Sequence, residues 1–139
     1  MASPRELLVE ACKQNTEVGS CTACLVSLDE KASVLSTANL GDSGYMILRQ
    51  VAGKDKLEIV YESKEQQHAF NFPFQVGTNG DPPSSAEVNA HNVLNGDIII
   101  LGTDGLWDNM HRPKIVDLIN PFIQKHPESN PVIIHQYLN

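Results

Sequence analysis

Four short apolar segments, at residues 20–28, 33–40, 45–51 and 57–61, follow one another with only a few polar or glycine-bearing residues between them. That spacing commits the first half of the chain to a sheet. Segments of this length, rich in Val, Ile, Leu and Tyr and bounded by Gly, Asp, Asn or Ser, read as strands. The links Asp29-Glu30-Lys31-Ala32 and Ala52-Gly53-Lys54-Asp55 are too short for a parallel crossover, so the strands on either side pair antiparallel, and a meander is expected. Ahead of it, Ser3-Pro4-Arg5-Glu6 predicts a helix of about three turns, with Ser3 as cap, Pro4 in the first helical position and Glu6 completing a capping box. Leu7, Leu8 and Ala11, with Cys12 alongside, form an apolar stripe that should dock on the sheet.

Residues 62–92 are polar, rich in Pro, Asn and Gly, and too long for an ordinary connection, which predicts a functional loop. Within it Phe70, Phe72 and Phe74 alternate around Pro73, as in an edge or extended segment, and the rings are expected to pin the loop to the core. Residues 113–123 predict a helix with Ile115, Val116, Ile119 and Phe122 on its apolar face and Pro121 disturbing its last turn. A break at residues 127–131 precedes a final helix ending at Asn139.

The residues that carry chemistry lie in two turns. The first, at the end of the apolar run 97–101, is Leu101-Gly102-Thr103-Asp104-Gly105-Leu106-Trp107-Asp108-Asn109, which sets two carboxylates where a buried strand ends. Ligands collect at such strand ends in α/β folds, and oxygen ligands spaced around a glycine suit a hard cation such as Mg²⁺ or Mn²⁺. The same residues also fit an ordinary Asp-Gly turn with a helix cap at Asp108. A second acidic turn favours the metal: in Ala38-Asn39-Leu40-Gly41-Asp42-Ser43-Gly44, the last four residues read as a hairpin turn bearing a carboxylate.

Together these motifs resemble the metal-dependent protein phosphatases of the 2C type, whose members carry a Gly-Asp-Ser turn and a later Thr/Ser-Asp-Gly-aromatic-Asp turn. Gly19-Ser20-Cys21-Thr22-Ala23-Cys24 is similar to that family's Gly-Ser-Thr-Ala strand, and residues 63–75 to a stretch typical of its mitochondrial branch. The resemblance runs, with gaps, from about residue 7 to residue 110. It implies an α+β fold, here a partial β-sandwich of two antiparallel sheets flanked by helices. It also implies hydrolysis of phosphoserine or phosphothreonine in a phosphoprotein by water activated between two Mg²⁺ or Mn²⁺ ions, in a soluble intracellular enzyme, possible sites including the mitochondrial matrix. By motif matching, Asp104 would ligate one ion of the pair, and Asp42 and Asp108 a weaker third. Gly41 and Gly105 would permit the backbone of the turns, and Ser43 and Thr103 would hydrogen-bond the carboxylates.

The departures from the family pattern are specific. No Asp-Gly-x-Gly-Gly motif precedes Gly19, and after Asp108 the only Asp is Asp117, inside the helical segment 113–123. Residues 1–139 are therefore expected to be the central portion of a phosphatase domain, inactive by themselves, with an exposed sandwich edge that favours self-association. The alternative is a truncated or degenerate, non-catalytic interaction module. Gly44 stands where many relatives have an Arg. Neither Arg49, read as a solvated strand residue, nor Arg112 is assigned to phosphate. His68 can act as a general acid or phosphate contact, or simply be a solvated loop imidazole. His91, His111, His126 and His135 show no ligand spacing.

Composition narrows the partners. A formal charge of -7, with 10 basic against 17 acidic residues and no basic cluster, argues against nucleic acid. No apolar run reaches the roughly 20 residues of a membrane span. Cys21 and Cys24 have C-x-x-C spacing, but on one strand residues three apart face opposite sides, so these and Cys12 read as buried core thiols in a reducing compartment.

Overall fold

The computed structural model of the chain describes residues 2–125, and the expected final helix, His126 and His135 lie outside them. Helix α1 (Pro4–Gln14) leads into β1 (Ser20–Cys21), β2 (Ala23–Asp29), β3 (Val34–Leu40), β4 (Gly44–Gln50) and β5 (Leu57–Glu62). There follow β6 (Gln67–Ala69), β7 (Phe72–Pro73), β8 (Val76–Gly77), a 3₁₀ turn at Pro83–Ser85, β9 (Glu87–Asn92), β10 (Ile98–Gly102), α2 (Asp104–Trp107) and α3 (Arg112–Lys125). No described helix is long and apolar enough to cross a membrane.

The strands form two three-stranded antiparallel sheets, β2-β3-β9 and β5-β4-β10, with small two-stranded pairs β1-β8 and β6-β7 beside them. The predicted pairings β2-β3 and β4-β5 are present, but the chain is not a meander. β3 and β4 belong to different sheets, so the Gly41-Asp42-Ser43 segment is a crossing between sheets and not a hairpin turn. The cause is long-range pairing: each strand takes a distant partner, β9 for β3 and β10 for β4, which local turn chemistry cannot reveal.

Strand alternation then fixes the layers. Leu35, Tyr45 and Ile47 pack with Cys24, Val26, Tyr61, Val93 and Ile99 between the sheets. The opposite residues of β4, Met46 and Leu48, join Leu57, Ile98, Trp107, Ile115, Val116 and Ile119 beneath α3. On the far side Leu8 of α1 packs with Ala38, Leu40, Val76 and Ala86. The order is helix, sheet, sheet, helix, the expected α+β sandwich. β4 reads as continuously apolar because both of its faces are covered.

Helix α1 starts as predicted: Glu6 N–H donates to Ser3 Oγ and Ser3 N–H to Glu6 Oε2 at 2.7 Å. Its buried line is Pro4 and Leu8 with half-buried Cys12, while Leu7 and Ala11 are exposed. α3 runs through Pro121, beyond the expected end. The segment 62–92 is not a loop but carries β6 to β9. Of its three rings only Phe74 reaches the core; Phe70 is 98% exposed at the β6-β7 tip and Phe72 half exposed, so the pinning role fails for two of them. Cys21 is exposed, contrary to expectation, whereas burial pushes the Cys24 thiol up to about 11. Arg49 is not a free surface cation: its Nε and Nη2 each donate to the Asp97 carboxylate at 2.7 Å.

Candidate metal centre

The two acidic turns are brought side by side by one strand pairing. In the β4-β10 register Gly44 lies opposite Gly102, so the residues just before β4, Gly41-Asp42-Ser43, and just after β10, Thr103 and Asp104, emerge at the same end of the sheet. Both glycines leave room for a closely packed side chain. A Cβ at Gly102 would meet Leu106 Cδ2 at 2.7 Å and Trp107 Cζ2 at 3.0 Å, and one at Gly44 would collide with Ser63 Oγ. Trp107 Nε1 donates to Gly102 O at 2.9 Å, fixing the indole across this junction.

The Asp42 turn is buried and tied on every side. Gly41 has φ +107°, and a Cβ there would lie 2.5 Å from Thr22 Cγ2 and 2.6 Å from the Phe74 carbonyl oxygen, so only glycine fits. Gln66 clamps it: Gly41 N–H donates to Gln66 Oε1 at 3.1 Å and Gln66 N–H donates to Gly41 O at 2.9 Å. Ser43 Oγ lies 2.7 Å from Thr22 Oγ1, a hydrogen bond that either hydroxyl can donate and that ties the turn to the β1-β2 link. Asp42 itself is 7% exposed. Burial first, then the Asp104 and Asp108 carboxylates, push its carboxyl above the ordinary range, against a hydrogen bond to its own backbone.

The second turn is built differently. Thr103 stands at the N-cap of α2, although its side chain makes no capping bond, and Asp104 opens that single helical turn. Asp104 Oδ1 accepts from Gly105 N–H at 2.8 Å, and Asp108 closes the turn by donating its N–H to Asp104 O at 2.7 Å. Asp108 is thus a C-cap and not the start of α3. Gly105 has no positive φ and its absent Cβ would meet only Thr103 Oγ1 at 3.3 Å, so neither conformation nor space demands glycine there. Asp104, Gly105 and Asp108 are exposed.

A cleft of about 10 Å³, room for roughly one water, opens beside Asp42 and Ser43, with Glu62, Ser63, Glu65, Trp107 and Arg112 around it. Of these, Glu62 and Arg112 carry no site signal in the sequence, because they come from the β5 end and α3 and only the sheet register brings them in, while Ser63 and Glu65 fall in the family-like stretch 63–75 with no role readable from it. Gln66 is legible as part of the family-like stretch 63–75, though not its role as the clamp on Gly41. His68 is not part of this cleft: its Nε2 lies 2.8 Å from Asp81 Oδ1, and its ring stacks on Phe74 at 4.1 Å.

Asp104 and Asp108 are near enough for their charges to act on Asp42, and all-oxygen anionic donors suit a hard divalent cation. A buried carboxylate held near two others is costly without a counter-charge. Among the described residues no three His, Cys, Asp or Glu side chains converge tightly enough to enclose an ion, so a cation bound here would keep water in its shell.

Comparison with known proteins gives a consistent result. The chain is 37% identical over 134 residues to the protein phosphatase PTC7 homolog fig of Drosophila ananassae, covering 86% of this chain and 39% of that protein. It is 48% identical over 102 residues to the protein phosphatase PTC7 homolog of Xenopus laevis, covering 67% of this chain and 32% of that protein. Among solved structures, the X-ray structure of the photosystem II phosphatase PBCP superimposes with a TM-score of 0.75 at 32% identity, over 84% of this chain and 44% of that one. The chain thus spans about two-fifths or less of the length of these curated relatives. No family model matches.

Proposed function

We propose, since the chain belongs to the 2C-type protein phosphatase family, that the protein hydrolyses phosphoserine or phosphothreonine in a phosphoprotein with the help of Mg²⁺ or Mn²⁺. The observation that carries this reading is the Asp42 carboxyl, buried and pushed toward its protonated form beside Asp104 and Asp108, two residues from a separate turn. A buried carboxylate kept within electrostatic reach of two others is explained by a cation that offsets their charge.

In this reading Asp42, Asp104 and Asp108 hold the metal. When bound, such a cation neutralises phosphoryl oxygens and acidifies a coordinated water. The chain's own residues provide placement. The Gln66 clamp and the Ser43-Thr22 pair hold Asp42 in its turn, and Trp107 fixes α2, and with it Asp104, against the end of β10. The resemblance to the mitochondrial branch supports the mitochondrial matrix as the place of work.

The test is hydrolysis of a phosphothreonine peptide with Mn²⁺, with a chelator and Asp104→Ala as controls. Turnover lost in both supports the proposal. Turnover that survives both overturns it, and a folded protein with neither Mn²⁺ binding nor turnover leaves either a catalytically incomplete portion of a phosphatase domain or the non-catalytic module.

A further inference from the structure

We propose that Arg112 is the residue that takes the phosphate group, exchanging Glu62 and Glu65 for it once a cation occupies the acidic turns. This rests on the metal-dependent phosphatase reading and adds the anion-binding group to it.

The arginines of the chain differ in how far their donors are spent. Arg49 gives a bidentate pair to Asp97 at 2.7 Å, and its Nη2 also reaches Asn92 O, so it is committed to holding β4 against the β9-β10 loop. Arg112 is placed in a different manner. Its guanidinium lies 5.0 Å over the Trp107 ring, whose own N–H is fixed by Gly102 O. Its nearest carboxylate oxygens are Glu65 Oε1 at 3.8 Å and Glu62 Oε2 at 3.9 Å, ion-pair distances too long for hydrogen bonds. The guanidinium is thus held by a cation–π contact with the indole and by charge, and among the described residues its side-chain donors make no hydrogen bond.

Its location completes the case. Arg112 lines the same cleft as Asp42 and Ser43, and its side chain is 26% exposed; the open space there holds only about one water, so a phosphate is admitted as Glu62 and Glu65, which line it too, swing away from Arg112. A planar guanidinium offers two parallel N–H donors to a phosphate, a stronger arrangement than a loose pair with a solvated glutamate. The same cleft carries a heavy negative charge. Glu62 and Glu65 line it and Asp104 and Asp108 act on Asp42, so an anion is repelled until a cation offsets that charge. Binding is therefore ordered: cation first, then phosphate, with the two glutamates parking Arg112 in the meantime.

Calorimetric titration of inorganic phosphate into the full chain, with and without saturating Mg²⁺, tests this, alongside a separate Mg²⁺ titration. We expect phosphate to bind only with Mg²⁺ present, at least tenfold more weakly in Arg112→Ala and less so in Arg112→Lys. The double variant Glu62→Gln, Glu65→Gln should bind phosphate several-fold more tightly, and most of that gain should vanish when Arg112→Ala is added, whereas relief of charge repulsion alone would persist without the arginine. Mg²⁺ affinity and melting temperature retained in Arg112→Ala, with phosphate affinity unchanged, overturns the inference and leaves the metal reading intact. No tightening in the glutamine double variant also overturns the exchange. A wild-type chain that binds neither Mg²⁺ nor phosphate overturns the metal reading itself, and this inference with it.

Discussion

The two acidic turns use the same residue types to opposite ends. Gly41-Asp42-Ser43-Gly44 is buried throughout, threaded between two sheets and bonded to residues from the β1-β2 link and the β5-β6 link. Thr103, Asp104, Gly105 and Asp108 are exposed, and apart from the Trp107 indole their hydrogen bonds stay within one helical turn. The first turn gains a fixed geometry by giving up solvent around its carboxylate. The second keeps its carboxylates hydrated and accessible. Under the proposed metal-binding reading, a centre assembled from both would have one rigid ligand and two adaptable ones, a combination suited to an ion that exchanges a ligand.

Substituting the glycines should break the apparent symmetry of the turns most sharply. Gly41→Ala forces a side chain into a left-handed backbone and against the Phe74 carbonyl, and should cost about 3 kcal/mol of unfolding free energy. Gly105→Ala, in an ordinary helical conformation with only the Thr103 hydroxyl nearby, should change stability by less than about 1 kcal/mol. Urea denaturation of the two variants decides the matter, and equal losses would mean that the second turn is as constrained as the first.

Next in size is the clamp. Gln66→Ala removes the acceptor for Gly41 N–H and the donor to Ser85 O at 3.0 Å, leaving a part-buried amide without its partner. A loss of about 1–2 kcal/mol is expected from urea denaturation, together with weaker Mn²⁺ binding as Asp42 loosens. Unchanged Mn²⁺ affinity would show that the rigidity of the buried turn does not matter to the ion.

How much of this was legible in the sequence depends on range. Ser3 and Glu6 cap α1 within one turn, and the links at 29–32 and 52–55 close neighbouring strands, so these were readable from local chemistry. The two Asp-bearing turns were readable as motifs. Their surroundings were not: β3 pairs with β9 and β4 with β10 across about fifty residues, and those pairings turn an expected hairpin into a sheet crossing. The same pairing of β4 with β10 brings Arg112 and Trp107 to Glu62 and Glu65. Phe70 misled because an aromatic ring is usually a burial signal, whereas here Asn71, with φ 53°, makes a tight tip that thrusts it outward.

A smaller effect distinguishes charge from shape in the buried turn. Asp42→Asn keeps the volume but removes a charge penalised first by burial and then by Asp104 and Asp108, so without metal the variant should be more stable than wild type by about 1 kcal/mol, roughly 3 °C in Tm. With Mn²⁺ the order should reverse, since wild type gains binding energy that the variant forgoes. Differential scanning calorimetry at two Mn²⁺ concentrations checks both signs. A variant less stable than wild type in the absence of metal would mean that Asp42 is a structural hydrogen-bonding group and not a strained ligand.

The smallest effect separates the turns from the sandwich interior just behind them. Tyr45, one residue past Gly44, reaches between the sheets, where its hydroxyl lies 2.9 Å from Thr37 Oγ1 and 2.8 Å from His91 Nε2. Burial lowers the His91 pKa below its ordinary 6.5, so the unfolded chain binds that proton more readily. The contribution of His91 to stability is therefore complete above pH 6.5 and is lost as pH falls from there toward its folded value. Asp42 runs the other way: its raised carboxyl favours folding most below 3.8, and that advantage disappears as pH rises through the folded value. Melting wild type, His91→Gln and Asp42→Asn between pH 4 and 8 without metal should thus give difference curves of opposite slope in separate windows. If His91→Gln leaves the neutral-to-acid limb unchanged, the instability on acidification belongs to other groups, such as the buried Asp97 carboxylate paired with Arg49, and the interior behind the buried turn is electrostatically silent.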